Sequence, residues 1–242
     1  MLLEIKESYN SYKEIYKKVL PEINGETSSE LARALLENSL YLSVFTTFEN
    51  FLKKVIDNYI YNKEKQGVMV LELSDRIAHA WFVQNEKQIV DIFSNKKDRN
   101  KAFDSFFKML KSNVDKKTLE THIRFEFLHK DKLNGYYKNL FQEILGDGDF
   151  LDKLQLVQNV EDFGELNKQS ATNATTFLSI YTDKIRNNIA HQNENFRIEE
   201  YSSFNQIVDT FYQIIQEICT KYTNYTGFNL EDEVMNNMLD DY

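Results

Sequence analysis

Apolar residues recur along most of this chain at three- and four-residue intervals, the spacing of one face of an α-helix. Residues 3–20 set Leu3, Ile5, Tyr9, Tyr12, Ile15 and Val19 broadly on one side, which predicts a first helix stopped by Pro21. After a loop at 21–28, Ser28 or Ser29 caps a long helix reaching to about Lys63. Between Leu31 and Ile60 that helix is apolar well beyond a single stripe, as a helix central to a bundle would be. Gly67 marks a turn, and Val68–Leu73 is a short strand-like run without an obvious partner. Helices follow at about 74–93, 99–112, 117–128 and 133–145, with Trp81, Phe82 and Ile89 anchoring the first.

Gly146–Asp149 reads as a turn, and 150–173 as mixed, with Asn167–Asn173 polar enough for the surface. A mostly apolar helical run then extends from Ala174 to Ala190. The last helix, about 197–224, carries Ile198, Phe204, Ile207, Val208, Phe211, Ile214, Ile215 and Ile218 in helical rhythm. Its position predicts antiparallel packing against the preceding helix.

Composition agrees with this pattern. One Pro and seven Gly in 242 residues leave few breaks, and 42% hydrophobic residues are ample for a core. No internal repeat or low-complexity linker divides the chain. The expected fold is therefore all-α: a single-domain helical bundle over 1–226, with core helices at about 29–63, 174–191 and 197–224. Inserted helices fill about 68–150, and an acidic tail occupies 227–242. No apolar run reaches the length of a membrane span, and the first residues lack the charged-then-apolar layout of a signal peptide, so a cytoplasmic protein is expected. The single Cys219 sits in an apolar helical run, where core packing is expected.

Charge narrows the partners. A net charge of −9 argues against a general nucleic-acid coat. Yet residues 96–138 hold twelve Lys and Arg against six Asp and Glu, either a set of solvated helix faces or an RNA-positioning patch. Phe103, Phe106, Phe107, Phe125 and Phe127, interleaved there, are expected in the core. His79 reads as a partly buried packing residue. His122 and His129 have no third ligand at metal spacing, so neither metal nor cofactor is expected.

Polar groups interrupt the apolar run near its end, in Asp183-Lys184-Ile185-Arg186-Asn187-Asn188-Ile189-Ala190-His191-Gln192-Asn193. At 100° per residue, Asn187 and His191 lie about 40° apart on one face, and Arg186 lies about 140° from His191. A guanidinium fits a phosphate, an imidazole moves protons near neutrality, and an amide orients a hydroxyl or a phosphate oxygen. Together they suit metal-free RNA cleavage. A structural alternative is open, in which His191 sits favourably at a helix C-terminus and Asn193 or Asn195 ends the helix. The spacing alone is a weak signal, since Arg124 and His129 repeat it.

Arg186-Asn187-Asn188-Ile189-Ala190-His191 resembles the R-N-x-I-A-H form of the motif in the HEPN superfamily, the all-helical nucleases and binding domains of prokaryotic defence and toxin systems. Leu35–Lys54, with its Phe48-Glu49-Asn50-Phe51-Leu52-Lys53 segment, resembles an early helix of the standalone MAE-type branch. The likeness covers roughly residues 30–60 and 172–222. It departs at Gln192, where the motif usually has Gly. It implies a helical bundle that dimerises through the motif helix, with a composite site acting as a metal-independent endoribonuclease. Arg186 and His191 inherit the catalytic roles and Asn187 a supporting one, while Glu49 and Asn188 are candidates for substrate positioning. RNA is the implied substrate, a homodimer the implied assembly, and an antitoxin or sensor protein an expected restraint. The alternative is a non-catalytic HEPN module that binds a nucleotide, RNA or a protein.

Overall fold

The computed structural model describes residues 1–18, 27–94, 98–115, 133–160, 171–190 and 201–230. These are all-α apart from one short strand pair. The chain forms two compact units, one from Met1–Phe51 with Leu145–Tyr242 and one from Leu52–Ile144. The second takes in most of the expected inserted region together with the later part of the long helix.

In the first unit, α1 (Leu2–Lys18) buries Ile5, Tyr9 and Tyr16, whose spacing of four and seven keeps them on one face. Leu3, expected on that face, is exposed. The long helix α2 (Thr27–Lys65) contributes its N-terminal part, with Leu40, Tyr41, Val44, Phe45, Phe48 and Phe51 buried. The last long helix (Tyr201–Thr226) buries Phe204, Ile207, Val208, Phe211, Ile214, Ile215, Ile218, Cys219 and Tyr222, the i, i+3, i+4, i+7 pattern of one helical face.

Side-chain partners give the relative directions. Along α1, Tyr9 meets Tyr212, Lys13 pairs with Asp209, and Tyr16 stacks on Phe204, so α1 and the last helix are antiparallel. Along α2, Tyr41 packs on Phe204 while Phe45 and Phe48 pack on Phe211, so α2 and the last helix are parallel.

In the mixed segment 150–173, residues 161–170 lie outside the described residues, and of the part expected at the surface Ala171 is buried. A short helix (Phe150–Lys153) leads into β1 (Gln155–Val160), which pairs antiparallel with β2 (Ala171–Asn173). Gln213 of the last helix clamps β1 by accepting from the Val157 N–H and donating to the Gln155 carbonyl, both at 3.1 Å. These bonds satisfy backbone groups that an isolated strand pair leaves open. At the expected 146–149 turn, Gly146 has φ 66°, and a Cβ there would stand 2.7 Å from the Tyr225 ring, so only glycine fits.

In the second unit, the rest of α2 buries Leu52, Val55, Ile56 and Ile60, and the Tyr59 hydroxyl donates to Glu143 at 2.7 Å. The strand expected at 68–73 is instead a single bridge, Met69 to Asn113, followed by a 3₁₀ turn (Val70–Glu72). The helix expected at 74–93 is two helices, Asp75–Gln84 and Glu86–Ser94. They part at Asn85, whose side-chain amide donates to the Trp81 carbonyl at 2.8 Å alongside its own backbone N–H at 3.0 Å. Helices also span Arg99–Leu110 and Leu133–Leu145. Trp81 is buried as expected, but Phe82 and His79 are exposed. Phe103 and Phe107, expected in the core, are about half exposed at 51% and 52%, and they continue a run of ring contacts through Phe93 and Phe106. The expected helix at 117–128, with Arg124, Phe125, Phe127, His122 and His129, lies outside the described residues, as do Pro21 and residues 231–242 of the tail. Among the described residues no helix is long and apolar enough to cross a membrane.

Four of the buried tyrosines of the first unit have phenols whose ionisation the fold opposes. Burial pushes Tyr9, Tyr41 and Tyr181 well above the ordinary tyrosine range, and burial aided by the Glu37 carboxylate does the same for Tyr16. Below about pH 10 these phenols are protonated in both the folded and unfolded states, so their contribution is complete. Above it the unfolded chain releases protons that the fold retains, and stability falls as pH rises towards the raised folded values. Phenolate absorbance followed with circular dichroism should therefore show a late group of tyrosines ionising together with loss of helix.

Candidate functional site

The helix that carries the motif starts where β2 ends. Asn173 caps it by accepting from the Thr176 N–H at 2.9 Å, and the Ala174 N–H donates to the Leu154 carbonyl at 3.0 Å. It runs as α-helix through Ala174–Ile180, as π-helix through Tyr181–Arg186, and again as α-helix through Asn187–Ala190. Its buried face is Phe177, Tyr181, Ile185 and Ile189, with Leu178 beside them.

Those four positions repeat every four residues. In a regular α-helix such a repeat drifts about 40° per step, or about 120° from Phe177 to Ile189, and would leave the core. The π turn removes most of this drift. Within it the Asn187 N–H reaches the Thr182 carbonyl five residues back, one residue more than an α-turn holds. The residues beyond are thereby set back by about 100°, the angle of one residue. Ile189 returns nearly into line with Tyr181 and is 9% exposed.

The same slip moves the polar groups. Without it, Arg186 would lie about 140° from Tyr181, facing from the core; with it Arg186 comes to about 40°, while Asn187 stays on the outer side at about 140°. In the structure Arg186, Asn187 and Asn188 are all half-buried. Arg186 Nη1 donates to Asn187 Oδ1 at 3.1 Å. The remaining guanidinium donors meet no acceptor and no carboxylate among the described residues. A half-buried arginine in that state is a ready site for an anion.

Tyr181 anchors the helix. Its phenol is fully buried and donates to the Tyr41 carbonyl of α2 at 2.8 Å, and its ring stacks on Phe45 and meets Phe211 edge-on. Phe177 also packs on Phe211. The helix begins beside β1, level with Gln213, so it runs antiparallel to the last helix, as expected from sequence.

Because α2 runs parallel to the last helix, the motif helix is antiparallel to α2 as well. Arg186 therefore lies beyond Tyr181 on the side away from Glu49, which is eight residues, or about 12 Å, past Tyr41 in the other direction. Glu49 is half-buried and forms no bond with Arg186. The structure thus brings Arg186 and Asn187 together, keeps Asn188 next to them, and does not join Glu49 to the group. His191 and Gln192 lie outside the described residues. Among the described residues no three His, Cys, Asp or Glu side chains gather as metal ligands would.

Two features escaped the sequence reading, the π turn and the buried Thr182 within it. The four-residue apolar repeat was a legible signal for the first, since it is too long for a straight α-helix.

Compared with protein-family models, curated proteins and solved structures, the chain matches none.

Tyr181→Phe removes the bond to the Tyr41 carbonyl while keeping the ring, and should lower stability by about 1 kcal/mol. Urea denaturation of the two proteins measures this, and a larger loss would mean that the hydroxyl also holds the helix register.

Proposed function

We propose that this chain is a metal-independent HEPN-type endoribonuclease, acting as a toxin or an anti-phage effector in the cytoplasm. One observation carries the reading: on the helix with the HEPN-like motif, Arg186 is half-buried beside Asn187 and has no counter-ion among the described residues. A phosphodiester supplies the missing charge. In the proposed reaction the ribose 2′-hydroxyl attacks the adjacent phosphorus and the bond to the 5′-oxygen breaks. The products are a 2′,3′-cyclic phosphate and a 5′-hydroxyl end. Arg186 offsets the charge that builds on the non-bridging oxygens. His191 moves the proton between the attacking and leaving oxygens. Asn187 holds Arg186 in the free protein and orients the substrate once the guanidinium has turned to the phosphate. A second copy meeting this one along the motif helix contributes the same groups to a composite site, and an antitoxin or sensor restrains it.

The net charge of −9 favours a second reading, a non-catalytic module that binds a nucleotide or a protein through the same arginine.

Cleavage of RNA in EDTA separates the two. Wild type and Arg124→Ala should cleave, while Arg186→Ala and His191→Ala should each lose about a hundredfold or more. Glu49→Gln should stay within about twofold of wild type, as expected of a side chain away from the reacting groups. Activity that survives both motif substitutions would remove the catalytic assignment.

A further inference from the structure

Thr182 differs from eight other hydroxyl residues of these helices. Ser8, Ser11, Ser43, Thr47, Ser105, Thr210, Thr220 and Thr226 each donate to the carbonyl four residues back. Thr182 is more than nine-tenths buried, and its Oγ1 has no hydrogen-bond partner. A buried hydroxyl left unpaired costs stability, so its retention calls for a reason.

Its position supplies one. Thr182 lies in the π turn four residues before Arg186, and its carbonyl accepts from the Asn187 N–H. Side chains on a helix lean towards its N-terminus, so residue 186 covers the turn that holds residue 182. We infer that Thr182 Oγ1 is a second ligand for the phosphate that Arg186 binds, uncovered when the guanidinium leaves Asn187 for the anion. The inference rests on the phosphate-binding role proposed for Arg186. In the bound state the hydroxyl donates to a non-bridging oxygen, and the unpaired group of the free protein gains its partner. The π turn carries Arg186 towards the core, to about 40° from Tyr181, and so keeps it on the buried side of the helix.

The test combines stability with binding of a probe that cannot be cleaved, a fluorescein-labelled 2′-O-methyl oligoribonucleotide. Thr182→Val keeps the shape and removes the hydroxyl. Its Tm should rise by about 2–4 °C, because an unpaired buried polar group is lost. Its affinity for the probe, read by fluorescence anisotropy, should fall about tenfold, as expected for a hydrogen bond to a charged group. Thr182→Ser should restore the affinity, and Arg186→Ala should lower it at least as much. A fall in Tm with unchanged affinity would show a hydroxyl bonded within the fold and overturn the inference, as would a wild type that does not bind the probe. If wild type binds the probe through both residues yet cleaves no RNA, the phosphate site stands and the nuclease reading fails.

Discussion

The first unit depends on keeping an apolar repeat of four residues against the core of the bundle. Phe177, Tyr181, Ile185 and Ile189 can remain on one face only if the helix is unwound by about one residue over their length. Phe211 sets the requirement, since Phe177 and Tyr181 both pack on it from one helix and Phe45 and Phe48 from another. The Tyr181 hydroxyl adds a directional hold on the α2 backbone that a purely apolar contact lacks. With both ends of the repeat buried, the slip falls between them, in the turn that ends at Arg186.

The polar groups follow from this. A charged residue on the outer face of a regular helix would be solvated and would bind anions weakly. Rolled towards the core, Arg186 is partly desolvated and its interactions with an anion are strengthened. Arg186 then holds only a neighbouring amide, and the Thr182 hydroxyl holds nothing. Both leave polar capacity unspent in a region that is otherwise closely packed. Unspent polar capacity inside a fold is costly, and it is tolerated where a ligand later uses it.

The second unit shows a different balance. Its helices are short, one break falls at an asparagine whose side chain shares a backbone carbonyl with the helical ladder, and a run of phenylalanines is left half in solvent. Periodicity placed Phe103 and Phe107 in a core because four-residue spacing is the same for a buried face and for an exposed one. Which face meets another helix is a tertiary matter.

Much of the fold was legible in order along the chain. Helix positions, the single buried cysteine, the turn at Gly146 and the antiparallel partner of the motif helix all follow from local spacing, from breakers and from connection length. The pairing of residues 155–160 with 171–173 did not, because these strands depend on Gln213, more than fifty residues away. The site divides in the same way. Arg186 and Asn187 stood out by residue type, on a helix whose apolar pattern said it was buried. Only the tertiary structure decided that Arg186 turns towards the core, that Glu49 stays apart from it, and that the Thr182 hydroxyl in the same turn is buried and unpaired. The reason is that local sequence specifies a helix and its apolar face, whereas the phase of that helix is set by the side chains it must meet on its neighbours.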